Sequence, residues 1–367
     1  MMSSERPVFG DPSLLNIPTK RAAWSDRTAL LMADMSKIAY YKFEIDANGR
    51  KMPQDVLDEV FERLTRPPGE AAADPSAGGE GADQIPNPSA DAGRLIADLA
   101  RAGFKLAGLF NDLETDTQAF LAVSAGTELN VRPPFGDREV AVLSFRGTEN
   151  VNDWITNFKG IQKRVRGVPV HVGFQMGFDA VKGSIKAKVD PLVDKGRTLY
   201  LTGHSLGGAL ALIAVREIAP KSHGSCYTFG SPRVGRFGFA RYIKTPLYRV
   251  VNSNDLVPRV PPAYVPTILL FVLRVLNVPA FGLLKGLIGK VSGYVHYGDM
   301  RFLRRAKGPD YKDLQVLSNP SVIYRFFWYW PALLASWMSP IKNHSIDVYR
   351  AKLAVYARSR IVGGFDK

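Results

Sequence analysis

Gly203-His204-Ser205-Leu206-Gly207 constrains the fold more than any other stretch of the chain. Before it, Thr198-Leu-Tyr-Leu-Thr-Gly is short, apolar and β-prone; after it, Gly208-Ala-Leu-Ala-Leu-Ile-Ala-Val-Arg-Glu has the composition of a buried helix. Strand, sharp turn and helix in that order form the basic step of a parallel α/β sheet. Glycines on both sides of Ser205 let the backbone take a strained turn that lifts the hydroxyl clear of the sheet. The helix N-terminus then lies beneath any oxyanion formed at that hydroxyl. An ordinary glycine-rich turn would look the same locally, so the motif needs partners elsewhere in the chain.

A nucleophilic serine requires a base and a carboxylate that orients the base. Five histidines keep the search short. In an α/β-hydrolase order of serine, acid, histidine, His171 comes too early, His204 lies inside the turn and His223 precedes the next strand. His296 and His344 remain. For the acid, Tyr248-Arg-Val-Val-Asn-Ser-Asn-Asp-Leu-Val-Pro reads as a strand that stops at Asn254-Asp255. That position puts Asp255 in a loop at the carboxyl edge of the sheet, where ligands bind in such folds. Asp255 reads equally well as a turn residue ahead of Pro258.

The rest of the chain is organised around this centre. Residues 26–41 and 54–64 carry apolar side chains at helical spacing, and residues 92–113 read as a third helix. Between about 67 and 91 the composition turns to Pro, Gly, Ala, Ser and acid, which marks a low-complexity linker. Strands are expected near 119–124 and 140–145, and strand and helix then alternate to about residue 252. The predicted architecture is a mainly parallel sheet flanked by helices. Its parts are a helical N-terminal portion (1–91) and a larger domain (92–367) that contains an apolar, basic insertion at about 263–341. No repeat, metal-ligand cluster or cofactor motif is present in the sequence, so no cofactor is expected.

Charge is uneven. The chain carries a net +14, and residues 259–367 hold 16 Lys/Arg against 5 Asp. The same region contains two unusually apolar stretches, 263–284 and 326–340. A spanning helix needs about 20 predominantly apolar residues. Arg274, Pro266 and Pro279 break the first stretch. The second is too short and is rich in the Trp and Tyr that favour a membrane interface. Apolar and aromatic surface flanked by cations suits peripheral contact with an anionic membrane, although both stretches could instead be core or cap helices. No nucleic-acid motif accompanies the basic charge. The one cysteine, Cys226, permits no internal disulfide. With no apolar leader in residues 1–10, the expectation is a cytoplasmic protein, peripherally membrane-associated.

Five blocks, taken in order, resemble the class 3 lipases, the family of fungal triacylglycerol lipases, over roughly residues 100–358. They are Leu143-Ser-Phe-Arg-Gly-Thr-Glu-Asn-Val-Asn-Asp-Trp, His171-Val-Gly-Phe, the Ser205 turn, Tyr227-Thr-Phe-Gly-Ser-Pro-Arg-Val-Gly, and the Asp255 block. The resemblance implies an α/β-hydrolase fold with Ser205 as nucleophile and Asp255 as orienting acid. The backbone N–H groups of Thr148 and Leu206 would be the oxyanion donors. His344, in His344-Ser-Ile-Asp-Val-Tyr, is similar to the family's final histidine, the base. His296, in Val295-His296-Tyr-Gly-Asp, is similar to another block whose histidine is usually not the base, and the long insertion before His344 keeps both open. The implied activity is hydrolysis of acylglycerol or related lipid esters through an acyl-enzyme. A phospholipase A1 or acyltransferase would use the same residues, and a catalytically silent membrane-associated scaffold would keep only the fold. Residues 149–158, with Val151, Trp154, Ile155 and Phe158 at helical spacing, would be a lid or else a fixed surface helix. Oligomeric state is open.

Overall fold

Two strands at the centre of the chain are buried along their whole length, which fixes a sheet covered on both sides. In β3 (Val140–Phe145) the side chains alternate: Val140 and Val142 enter one core, while Ala141, Leu143 and Phe145 enter another. The neighbouring β6 (Thr198–His204) is also fully buried. Near-continuous apolar runs of this kind belong to parallel strands with helices on both faces. The computed structural model describes residues 6–18, 22–66, 85–125, 139–149, 161–253, 255–261, 293–304, 306, 310–325 and 343–362.

The main sheet has eight strands. From one edge they are β1 (Phe104–Asp112), β2 (Thr117–Ser124), β3, β6, β7 (Cys226–Phe229), β9 (Leu247–Asn252), β11 (Asp299–Leu303) and β12 (Val316–Ser318). The run β3-β6-β7-β9-β11 is parallel, and antiparallel strands close both edges. A smaller sheet orders β10 (Tyr294–Val295), β8 (Gly235–Arg236), β5 (Val168–His171) and β4 (Gln162–Val165).

Helices α1 (Asp26–Ile38), α2 (Gln54–Thr65), α3 (Ala90–Arg101) and α6 (Ile346–Val362) share one core with the sheet. Helices α4 (Val172–Asp194) and α5 (Leu206–Ile218) fill the other. The N-terminal helices therefore pack into the same core as the strands. Ser25 starts α1 by accepting a hydrogen bond from Thr28 N–H at 3.3 Å, the usual way to satisfy a free helix-end donor. The ion pair of Arg146 with Glu44, 2.6 Å long and nearly buried on both sides, ties the segment after α1 to the end of β3.

Three expectations change here. The helix expected over 92–113 ends at Arg101, and β1 follows. Leu106, Leu109, Phe110 and Leu113 recur at 3.6-residue spacing by coincidence, while Gly103 at φ 75 breaks the helix and the 104–112 segment pairs antiparallel with β2. Of the expected linker, 67–84 lies outside the described residues, but 85–91 is packed: Pro88 bridges to Asp46, and Ser89 Oγ donates to the Lys42 carbonyl. The expected insertion contains β11, an internal strand with Met300, Phe302 and Leu303 buried, because 299–303 pairs in register with β9. Both long apolar stretches and residues 150–158 of the expected lid lie outside the described residues. Among the described residues, no helix is long and apolar enough to cross a membrane.

Candidate active site

Ser205 sits between β6 and α5 with φ 58 and ψ −127, a left-handed backbone that a serine holds only under strain. Such strain, of order 1–3 kcal/mol, persists where the surroundings over-determine it. Here Ser205 N–H donates to the Phe229 carbonyl at 2.9 Å, and its own carbonyl accepts from Gly208 N–H at 3.0 Å. The flanking glycines are forced by close approach. A Cβ on Gly203 would lie 2.3 Å from Gly207 backbone, and one on Gly207 would lie 2.2 Å from the Phe145 carbonyl oxygen. The helix that starts at Leu206 leaves its first N–H groups without intrahelical acceptors.

Gly147 brings the end of β3 to the same place. A Cβ there would meet Tyr40 Oη at 2.3 Å, the His204 carbonyl at 2.6 Å and Ser205 Cβ at 3.2 Å. Thr148, the next residue, is half-buried, so the chain brings it to the same turn as Ser205 and Leu206.

Asp255 and His344 meet although 89 positions separate them: His344 Nδ1–H donates to Asp255 Oδ2 at 2.8 Å, and both residues are buried. The acid is held from three directions. Tyr349, on α6, donates its hydroxyl to Oδ2 at 2.6 Å and accepts from Asn252 N–H at 3.0 Å. Val257 N–H donates to Oδ1 at 2.9 Å. Burial and the adjacent Asp255 carboxylate push the Tyr349 hydroxyl well above the usual tyrosine range, so it stays a donor. Gly230, at φ 58, lies against the pair; a Cβ there would be 2.7 Å from Asp255 Oδ2 and 3.0 Å from His344 Nδ1. His296 is placed differently: its Nε2–H donates to the Pro258 carbonyl, and burial with nearby Arg249 and Arg233 holds its pKa well below the usual value.

Among the described residues, Ser205 Oγ and His344 Nε2 are buried at this centre and have no hydrogen-bond partner. In the tautomer with Nδ1–H on Asp255, Nε2 is the ring atom free to accept a proton. A buried hydroxyl and a buried proton acceptor, both unpaired, are what a reacting group would use.

His204 braces the arrangement. Its Nε2–H donates to the His344 carbonyl at 2.6 Å, which leaves Nδ1 to accept from Tyr40 Oη at 2.8 Å. The His204 and His344 rings lie 4.5 Å apart. Burial and then the His344 ring push the His204 pKa well below the ordinary histidine value. Below about pH 6.5 the unfolded chain therefore takes up a proton that the folded chain refuses. Stability from this group is complete above pH 6.5 and falls by about 1.4 kcal/mol per pH unit below it, until the ring protonates in the fold. Urea midpoints at pH 7.5 and 5.5 should fall less for His204→Gln than for the parent chain. An equal fall in both would show that His204 does not carry this slope. His204, Tyr40, Tyr349 and Gly230 escape the sequence reading, because each acts through a contact between distant segments.

Residues 142–265 match the family model described as Lipase (class 3). Over this segment the chain is similar to the class 3 lipases. Secreted mono- and diacylglycerol lipase 1 of Fusarium solani is 37% identical over 168 residues, 42% of this chain and 50% of that protein. A lipase of Rhizomucor miehei is 34% identical over 146 residues, 35% of this chain and 39% of its own length. The chain thus spans half or less of the length of these relatives. Among solved structures, lipase II from Rhizopus niveus aligns with a TM-score of 0.47 at 22% identity, covering 72% of this chain and 86% of that one. The cytoplasmic expectation is corrected by these relatives, since those from Fusarium solani and Penicillium cyclopium are named as secreted. A lone cysteine limits cross-links; it does not set the compartment.

Proposed function

We propose that the chain is a serine lipase that hydrolyses acylglycerols or related lipid esters through an acyl-enzyme. The observation that carries this reading is the convergence of Ser205 Oγ, the Asp255–His344 pair and the start of α5 in one buried place. His344 Nε2 takes the Ser205 proton as Oγ attacks the ester carbonyl. Asp255 holds the imidazole in the required tautomer and stabilises it once charged. The N–H groups of Leu206 and Thr148 receive the developing oxyanion, where each donor is worth about 3–4 kcal/mol of barrier. The alcohol leaves with the proton from His344; water, activated by the same ring, then releases the acid.

His344 is preferred over His296 because only His344 has its Nδ1–H on a carboxylate, whereas the His296 Nε2–H is spent on a carbonyl. The N-terminal portion (1–91) and the remainder (92–367) act as one catalytic unit in this proposal; the shared core and the Tyr40–His204 contact support it. The positive excess of residues 259–367 favours contact with an anionic lipid surface. Incubation with a long-chain fluorophosphonate tests the reading: mass spectrometry should find one adduct, on the peptide containing Ser205, and Ser205→Ala should stay unlabelled. Labelling elsewhere, or none at all, would overturn it.

A further inference from the structure

A second place on the molecule combines chemistry that the ester-cleaving centre does not use. A cavity of about 760 Å³ opens between the β4–β5 turn, the C-terminal half of α5 and the segment after β8. Its walls include Arg166, Arg216, Arg241, Phe237, Tyr242 and Tyr297, and no acidic residue lines it among the described residues. Arg216 follows Ser205 by eleven residues along α5, about 16 Å at the rise of an α-helix. The cavity is therefore separate from the serine.

Its surface is unusual for a solvated face. Phe237 is 91% exposed and Tyr242 73% exposed, and an apolar patch of this kind calls for a partner. The cations are partly organised in advance. The Arg241 guanidinium lies 5.5 Å from the Tyr242 ring centroid, and that of Arg216 lies 5.0 Å from Phe239. Arg216 Nη2 also donates to the Val165 carbonyl at 2.8 Å. Glu217, next to Arg216 on α5, pairs with Arg166 at 2.9 Å and with Lys182 at 3.0 Å. That leaves Arg241 at the rim with an aromatic contact and no carboxylate among the described residues.

Mostly apolar walls accept a hydrocarbon chain, and a guanidinium fork at the mouth accepts a carboxylate in a bidentate contact. The volume lies in the range of a small-molecule site, roughly 300–1,000 Å³. A neutral ester has no use for the arginines, and a bare inorganic anion has none for Phe237 and Tyr242. We infer that this cavity is a second lipid site that holds a free fatty-acid anion, with the chain against Phe237, Tyr242 and Tyr297 and the carboxylate on Arg241. Naming that anion as the protein's own product rests on the lipase reading above.

Calorimetric titration of the full chain carrying Ser205→Ala with laurate, below its aggregation concentration, tests the site. Laurate should bind at least about tenfold more tightly than butyrate, which lacks the chain, or decanol, which lacks the charge. Adding Phe237→Ser and Arg241→Ala should weaken laurate by at least about tenfold. Both side chains are exposed, so the melting temperature should hold. Unchanged laurate affinity in that variant would overturn the proposal. So would a variant that loses binding to phosphatidylglycerol vesicles yet binds laurate normally, because the occupant would then be a bilayer lipid. If laurate behaves as expected but the chain with Ser205 intact cleaves no ester, the lipase reading falls and the long-chain carboxylate site stands.

Discussion

Asp255→Asn is expected to lower kcat by about ten-thousandfold while the chain still folds. The side chain of Asp255 accepts at both oxygens, from Val257 N–H on Oδ1 and from His344 and Tyr349 on Oδ2. An asparagine must turn its NH₂ towards one of these donors. If it faces His344, the ring flips to the tautomer with the proton on Nε2 and no longer takes the proton of Ser205. If it faces Val257, a buried donor is left unpaired at a cost of about 1–3 kcal/mol. Turnover of a dissolved ester, measured beside a thermal melt, separates the two costs. A loss below tenfold in a folded variant would contradict the role given to Asp255.

Gly230→Ala is expected to damage activity more than stability. The new Cβ would lie 2.7 Å from Asp255 Oδ2 and 3.0 Å from His344 Nδ1, on a backbone held at φ 58. The carboxylate and imidazole must move apart or sideways, and a misplacement of about 1 Å in a catalytic group costs on the order of a hundredfold. The strained backbone adds about 1–3 kcal/mol of destabilisation. The expected result is a fall in kcat of at least about a hundredfold with little change in KM, and a lower melting temperature. Normal kcat in Gly230→Ala would mean that the pair tolerates displacement and does not act as proposed.

These two residues mark where the sequence is informative and where it is not. The turn at Ser205 is legible because its glycines and its flanking strand and helix are contiguous. The parallel strands are legible because strands buried on both faces read as largely apolar runs without a polar alternate face. Asp255 can be found because a strand ends just before it. The 104–112 segment is misleading because its apolar side chains satisfy helical and extended spacing together, and only its pairing with β2 decides. Gly230 looks like any other loop glycine until Asp255 and His344 fold against it. Tyr349 lies five residues beyond His344, and nothing in that spacing says that its hydroxyl turns towards Asp255. Tyr40 and His204 are 164 positions apart. The choice between His296 and His344 likewise depends on which ring reaches a carboxylate, a matter of position in space that chain order leaves open. The compartment is not written in these residues at all, since cysteine count constrains cross-linking alone.

The most direct measurement is hydrolysis of an emulsified diacylglycerol and of a dissolved short-chain ester by the parent chain and by Ser205→Ala. The account predicts that the parent cleaves both, the emulsion faster, and that Ser205→Ala loses activity on each by about a millionfold. Equal hydrolysis by parent and variant would contradict the serine mechanism. A parent chain that cleaves neither ester would leave the α/β-hydrolase fold without the chemistry proposed for it.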